Sequence, residues 1–380
     1  MKTNKNLVNL NKKTSLNDGR IFFGEYNGFQ RYDVYKNIFF KNMERAMRQA
    51  FWTPEEISLI ADRENFNNLP KHIQEILIHN LLFQTLMDSG QNRGLDSVLA
   101  QIVTESEVEA VFKTQAFFEL IHSLSYSHII REMFPSNATD IFDRVYQIPA
   151  IKKRIDREVD AYDEVHELFK QDKLINNDEN KKKILTLLLY IYFLEGLKFY
   201  ISFMITYLIN SSYNDSIPGV TKIIKLINFD EDMHVGVVSG LINILKKDKA
   251  EGFVHLFNDG WFEKQAYKII DTIVKDEIEW GEFLLSIGNI PSLTSEVIKN
   301  FIQYYANDRL EKIKLKPKYK ESKDLEIITW FQFYKDINKD NTAQQEAQAL
   351  NYNIGLMIND VENVNLNDEF NKLKNAKKKR

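Results

Sequence analysis

Residues 106–133, SEVEAVFKTQAFFELIHSLSYSHIIREM, hold apolar side chains at helical spacing with no Pro or Gly, which predicts one long helix. Glu119, His122 and Tyr126 stand on it at offsets i, i+3 and i+7, so they project from one face over about two turns. Phe118, Ile121 and Ile129 lie close to that face, which should therefore be buried. A carboxylate and an imidazole on an apolar face are costly unless something satisfies them, and a metal ion would.

The same pattern organises the rest of the chain. A helix is expected over 35–51, closed by Trp52, and another from Thr53-Pro54-Glu55-Glu56, with Thr as N-cap and Pro in the first turn. Pro70 opens a helix expected to end near Gly90, with Asp88 on its last turn; a second follows around 94–103. Residues 134–137 break the chain, 139–172 give one short and one longer charged helix, and 174–183 read as a surface loop. Residues 183–209 are apolar enough for a membrane span. Glu195 and Lys198 at their centre would be expensive in lipid, so the middle of a large helical core is the simpler reading. That makes Glu195 a buried carboxylate in need of a cation. Pro218-Gly219 starts a helix through Glu231 and His234, and helices follow over 252–286 and 294–313. No strand run and no internal repeat stand out. Residues 1–18 read as a mobile arm, 19–337 as the body and 338–380 as a flexible tail, while 21–33 should pack on the body through their aromatics.

Composition narrows the chemistry. Apolar residues make up 44% of 380, enough for a sizeable core. There are no cysteines, so disulfides, thiolate metal sites and a cysteine nucleophile are excluded in this chain. Carboxylate and imidazole ligands favour iron or manganese over a structural zinc. A formal charge of −4 gives no reason to expect nucleic acid, and the terminal KNAKKKR reads as a solvated run. The N-terminus is polar without a signal peptide, so a cytoplasmic protein with no membrane partner is expected.

Glu231 and His234 repeat the Glu-x-x-His spacing of Glu119 and His122. One such pair reads as a satisfied helix pair. Two pairs on apolar helices, with Glu195 and Asp88 from two more, resemble the ligand set of four-helix dinuclear carboxylate proteins. Asp163-x-x-His166 lies on a charged helix without an apolar face and is set aside, and His72, His79, His128 and His255 show no ligand spacing. Taken singly, Tyr126 reads as a core tyrosine, Trp52 as a packing aromatic and Asp230 as a surface acid.

A more specific resemblance rests on Leu86-Met87-Asp88-Ser89, on Glu119-Leu-Ile-His122-Ser-Leu-Ser-Tyr126-Ser-His-Ile-Ile-Arg131, on Leu194-Glu195-Gly-Leu-Lys-Phe199-Tyr200 and on Asp230-Glu231-Asp-Met-His234. With AFWTPEEI around Trp52 and RIFFGEYNGFQRYD before it, these resemble, in order, the small subunit of class I ribonucleotide reductase. The resemblance runs from about residue 20 to 370. It implies an all-α, ferritin-like helical bundle with a central four-helix dinuclear metal site, dimeric and radical-generating. By the same resemblance, Asp88, Glu119 and His122 would bind one metal and Glu195, Glu231 and His234 the other, with carboxylates bridging. The cofactor would be two iron ions, with manganese as the other candidate, and O₂ the oxidant. Tyr126 would become a stable radical in a pocket walled by Phe199, Phe203 and Ile227. Trp52 and Asp230, with His122, would pass the electron and proton outward. Tyr352 would hand the radical to the large subunit, on which Leu366 and Phe370 would dock. Nucleotide reduction itself needs cysteines, so the substrate site would lie on that partner.

Two departures stand out. Phe229 sits where relatives carry a basic residue, and Asn371–Arg380 extend past the expected anchor. Two other readings stay open: a ferritin-like oxidase or monooxygenase acting on an organic substrate, and a helical iron-binding scaffold without radical chemistry. Neither needs Tyr126 together with Tyr352.

Overall fold

The computed structural model describes residues 19–25, 29–320 and 326–337. The arm over 1–18 and the tail from 338, with Tyr352, Leu366, Phe370 and the basic extension, lie outside the described residues. The principal helices are α1 (Ile38–Gln49), α2 (Ile60–Phe66), α3 (Lys71–Gly94), α4 (Ser106–Met133), α5 (Asp156–Lys170), α6 (Asp178–Phe193), α7 (Tyr200–Ser212), α8 (Pro218–Lys247), α9 (Trp261–Ile287), α10 (Ser295–Lys312) and α11 (Glu326–Tyr334). Among the described residues the β-structure is one isolated bridge, Phe22 to Val103. The fold is all-α.

The central helix spans 106–133, as its periodicity predicts. Several boundaries differ. The helix from Pro70 does not stop near Gly90: it continues to Gly94, through a π-helical turn over Leu95–Leu99 and on to Ile102. The glycines are there for contact. A Cβ on Gly90 would meet Ile155 at 2.6 Å, and one on Gly94 would meet the Tyr162 ring at 2.4 Å. Thr53-Pro54 starts only a single 3-10 turn, Pro54–Glu56, and α2 begins at Ile60. The Thr53 hydroxyl bonds the Glu56 side chain instead of capping a backbone N–H. The loop near 174–183 is shorter than expected, because the Asn177 side chain accepts from the Asn180 N–H at 2.8 Å and starts α6 there. Gly260, at φ +78°, interrupts 252–286 and begins α9. Of the strap over 21–33, Ile21 and Phe22 are buried, but Phe29 and Tyr32 are exposed.

The apolar run is split as α6, a π-helical turn over Leu194–Lys198, and α7. Of its most apolar window, 89% is buried inside the protein, as befits a core helix. Lys198, fully buried, places Nζ 2.6 Å from Glu158 and donates to the Arg154 carbonyl. Arg154 in turn bonds Glu277 and the Asp276 carbonyl. Burial pushes the Glu277 carboxyl up to about 7, against the opposing pull of Arg154 and Lys198. Its folded-state value lies above the usual one of 4.5, so its contribution to stability is complete below the unfolded value and is lost as pH rises through about 7. Glu277→Gln should therefore flatten the stability profile between about pH 4.5 and 7, removing a slope worth at most about 3 kcal/mol. Urea titrations at stepped pH check this; an unchanged slope would place the charge elsewhere.

The helix α8 is held at its first turn from another element. Asp62 on α2 accepts from the N–H of Gly219 at 3.0 Å and of Val220 at 2.7 Å. Residue 219 must be small, since a Cβ there would meet the Ser58 carbonyl at 2.4 Å. Asp62→Ala strands two buried donors and should cost about 2–4 kcal/mol in urea unfolding. Asp62→Asn, which keeps an acceptor, should recover part of that loss.

Candidate metal centre

Four elements bring the predicted residues together. Asp88 comes from α3, Glu119, His122 and Tyr126 from α4, Glu195 from the π-helical turn, and Glu231 and His234 from α8. All seven are fully buried. The ligand atoms form two groups, Asp88, Glu119, His122 and Glu231 in one and Glu119, Glu195, Glu231 and His234 in the other, each within 4.8 Å. Glu119 and Glu231 belong to both, so these two carboxylates lie between the halves. Both imidazoles present Nδ1. That of His122 is 3.2 Å from Glu231, 3.4 Å from Glu119 and 3.8 Å from Asp88. That of His234 is 2.9 Å from Glu231, 3.0 Å from Glu119 and 3.9 Å from Glu195.

The π-helical turn sets Glu195 apart from Lys198. The wider turn leaves carbonyls outside the regular ladder, and Arg309 Nε donates to that of Gly196 at 3.1 Å. Glu195 Oε1 is held by Gln115 Nε2 at 2.8 Å and by Gln91 Nε2, while Tyr162 donates to Gln91 Oε1 at 2.9 Å. Only Oε2 of Glu195 then faces the cluster. The sequence reading missed Gln91, Gln115 and Tyr162. Helical spacing could have found two of them, since Gln91 follows Asp88 by three residues and Gln115 precedes Glu119 by four.

The electrostatics explain why such a cluster needs cations. Burial, then Glu119, pushes the Asp88 carboxyl well up; burial, then Glu195 and Glu119, does the same to Glu231. For both imidazoles burial acts downward but is overcome. The Asp230 hydrogen bond and the nearby carboxylates of Glu119 and Glu231 hold His122 well up, and Glu231 and Glu119 do so for His234. Four carboxylates in one dry space cannot all ionise without compensation. Both oxygens of Asp88 and of Glu119, Glu195 Oε2, Glu231 Oε1 and His122 Nδ1 have no hydrogen-bond partner among the described residues. Buried oxygen and imidazole donors left unpaired around a shared space fit a pair of hard divalent ions.

A hydrogen-bonded line leaves the cluster. His122 Nε2 lies 3.1 Å from Asp230 Oδ2, and Trp52 Nε1 donates to the same oxygen at 2.8 Å. The Trp52 and His122 rings are 6.4 Å apart and inclined by 26°. Asp230 is fully buried and Trp52 nearly so. Phe229 beside them is half-buried. The Tyr126 hydroxyl has no hydrogen-bond partner among the described residues, and burial followed by the charge of Asp88 pushes its phenol well up. Phe199, Phe203 and Ile227 are fully buried, the two phenylalanines stacked at 5.7 Å.

Comparison with known proteins gives a consistent answer. The family model described as ribonucleotide reductase, small chain, matches residues 32–325. The ribonucleoside-diphosphate reductase subunit beta of Buchnera aphidicola subsp. Baizongia pistaciae is 31% identical, covering 93% of this chain and 95% of that protein. The corresponding protein of Enterobacteria phage T4 is 28% identical over 94% of this chain and 96% of its own length. Among solved structures, a ribonucleotide reductase R2 subunit from Clostridium botulinum matches with a TM-score of 0.75 and 25% identity, covering 87% of this chain and 98% of that one.

Proposed function

The chain belongs to the family of ribonucleotide reductase small chains, oxidoreductase subunits of ribonucleoside-diphosphate reductase, and on that premise we propose that it stores an oxidising equivalent on Tyr126 and exports it through Trp52. The observation that carries the reading is the continuous line from the carboxylate cluster through His122 and Asp230 to Trp52, with a fully buried tyrosine at its inner end.

Asp88, Glu119 and His122 would hold one metal ion and Glu195, Glu231 and His234 the other, Glu119 and Glu231 being the carboxylates that lie in both groups of donors. A bound pair of iron ions supplies the capacity to reduce O₂ and so to oxidise a neighbouring phenol. Tyr126 gives up one electron, and its proton passes to the adjacent Asp88 carboxylate. Phe199, Phe203 and Ile227 keep water and reductants from the resulting radical. Gln91 and Gln115 fix one oxygen of Glu195, which restricts that carboxylate to a single inward-facing atom. Asp230 orients the His122 ring through Nε2, so that Nδ1 faces inward, and couples it to the Trp52 indole. Tyr352, in the tail, receives the radical and hands it to a large subunit, on which Leu366 and Phe370 dock. The chain has no cysteine, so the thiol chemistry of nucleotide reduction belongs to that partner. Manganese satisfies the same donor set, and iron is the reading preferred here. A cytoplasmic setting is part of the same reading.

The opposite side of α4 points to a second copy of this chain. Phe117, Leu120 and Leu124 are 47%, 43% and 52% exposed, and their spacing puts them in one stripe facing away from Glu119, His122 and Tyr126. Phe51 stacks on Phe117 at 6.0 Å and widens the patch. We take this exposed apolar stripe as the self-association face, since contiguous apolar patches on a protein surface mark interaction sites. Leu124→Arg should convert the homodimer to monomer by sedimentation velocity while leaving the far-ultraviolet circular dichroism unchanged; a dimer that persists would move the interface elsewhere.

Electron paramagnetic resonance tests the main reading. Metal-free protein loaded anaerobically with ferrous iron and then given O₂ should show a persistent tyrosyl signal coupled to a metal pair. Iron oxidation without any radical would favour manganese or an oxidase acting on an organic substrate, and loading with manganese separates those two.

A further inference from the structure

The carboxylate of Glu195 is gripped from outside the cluster, and the grip reaches a helix that carries no ligand. Tyr162 stands on α5, which in sequence is charged and shows no apolar face; the folded helix nevertheless buries Ala161, Tyr162 and Val165. The Tyr162 hydroxyl donates to Gln91 Oε1 at 2.9 Å, and Gln91 Nε2 donates to Glu195 Oε1. Both polar atoms of the Gln91 amide are therefore engaged. Gln115 is held differently. Its Nε2 donates to the same Glu195 oxygen at 2.8 Å, but its buried Oε1 has no hydrogen-bond partner among the described residues. Of the two glutamines on Glu195, Gln91 is the one anchored at its far end. The backbone makes room for that anchor: Gly94, three residues after Gln91, lies against the Tyr162 ring, where a Cβ would stand at 2.4 Å. Glycine inside a helix is unfavourable relative to alanine. Packing alone would be met by alanine at 94 and a smaller side chain at 162. Phe at 162 would fill the same volume but leave Gln91 Oε1 without a donor in a dry interior.

We propose that Tyr162 is a positioning residue of the metal centre: by holding Gln91 Oε1 it keeps the Gln91 amide against Glu195, and so keeps Glu195 Oε2 turned toward His234, 3.9 Å from its Nδ1. The inference rests on the metal-binding reading above. A glutamine side chain is flexible, and a single hydrogen bond to a carboxylate that can itself turn fixes neither group. A bond at each end leaves the amide one position in which both its atoms are satisfied. Without the Tyr162 hydroxyl, Oε1 is stranded, and the amide leaves Glu195 for a position in which that oxygen finds a donor. Glu195 then keeps the Gln115 bond alone, from a side chain whose far end is loose. The carboxylate is no longer held ready for an ion. Loss of such an outer contact weakens metal binding by roughly ten- to a hundredfold. The effect falls on one ion, because the donor group of Asp88 and His122 does not include Glu195.

The test is an anaerobic titration of the full-length, metal-free protein with ferrous iron, followed by near-infrared magnetic circular dichroism, which reads the ligand field of each ion. Wild type is compared with Tyr162→Phe, Gln91→Leu and the double variant, and Glu195→Ala identifies the bands of the ion that Glu195 serves. Circular dichroism and melting temperature are recorded on each metal-free protein. Tyr162→Phe should weaken the Glu195-side ion by about tenfold or more and shift its bands, leaving the other ion as in wild type. Gln91→Leu should do the same, and the double variant should be no weaker than Gln91→Leu, because Tyr162 acts through Gln91. A purely structural tyrosine would lower the melting temperature without singling out one ion. Ferrous binding and bands in Tyr162→Phe that match wild type therefore overturn the proposal, as does equal weakening of both ions. Additive losses in the double variant overturn the route through Gln91. Wild type that fails to bind two ferrous ions overturns the metal-binding reading, whatever the variants do.

Discussion

Tyr126→Phe is expected to bind metal like the parent and to form no stable radical, so turnover with the large subunit falls to background. The substitution removes one oxygen atom from a fully buried ring. That oxygen has no hydrogen-bond partner among the described residues, so the fold loses no bond when it goes. Burial of an unpaired hydroxyl is unfavourable, and the variant should be as stable as the parent or more stable by about 1 kcal/mol. The side chain carries no metal-ligating role, so metal stoichiometry should not change. Three measurements on one preparation decide the matter: metal content, melting temperature and the paramagnetic signal after O₂. A normal persistent radical would move the radical to another residue. Loss of metal together with the radical would mean that Tyr126 supports the site, in which case the loss of turnover says nothing of its redox role.

Trp52→Phe should separate storage from export. The indole N–H to Asp230 Oδ2 is lost, while His122 Nε2 remains 3.1 Å from the same oxygen, so the cluster keeps its inner support. Radical yield at Tyr126 should therefore persist. Turnover with the large subunit should fall on the order of 10³-fold, within the range for the loss of a positioned proton-transfer group. Asp230→Asn tests the same line one step further in. It keeps the shape but weakens the acceptor shared by Trp52 and His122, and should lower both export and the order of the His122 ring. Turnover of Trp52→Phe close to wild type would discard the line as the export route and turn attention to another exit. The half-buried Phe229, next to Asp230 in the chain, carries no charge, and the Trp52–Asp230 contact is the described polar step of this line.

Much of the architecture was legible from periodicity. The central helix over 106–133 was read at its observed bounds, because 28 residues without Pro or Gly leave no competing signal. Boundaries set by contacts were not legible. Gly90 and Gly94 look like helix ends in sequence, yet they permit the close approach of Ile155 and Tyr162, which the sequence places some 65 residues away. Lys181 and Asn180 look like loop residues and are buried. For the site, the two Glu-x-x-His pairs and Asp88 were visible as types at helical spacing. Gln91, Gln115 and Tyr162 were not read: helical spacing ties the two glutamines to the faces of Asp88 and Glu119, but their partner Glu195 lies on another element, which spacing does not reveal.

The sequence by itself determined which residues can be on one face. Helical geometry links Glu119 to His122 and Tyr126, and Glu231 to His234, without reference to any other part of the chain. It also determined what the donors can be, since a chain without cysteine has only oxygen and imidazole to offer. Only the tertiary structure decided how those faces meet. It decided that Glu119 and Glu231 lie between two groups of ligands, that both histidines turn Nδ1 inward, and that one oxygen of Asp230 serves both His122 and Trp52. The physical reason is that these are relations between residues separated by up to 178 positions in the chain, fixed by packing and by the cost of leaving buried polar atoms unpaired.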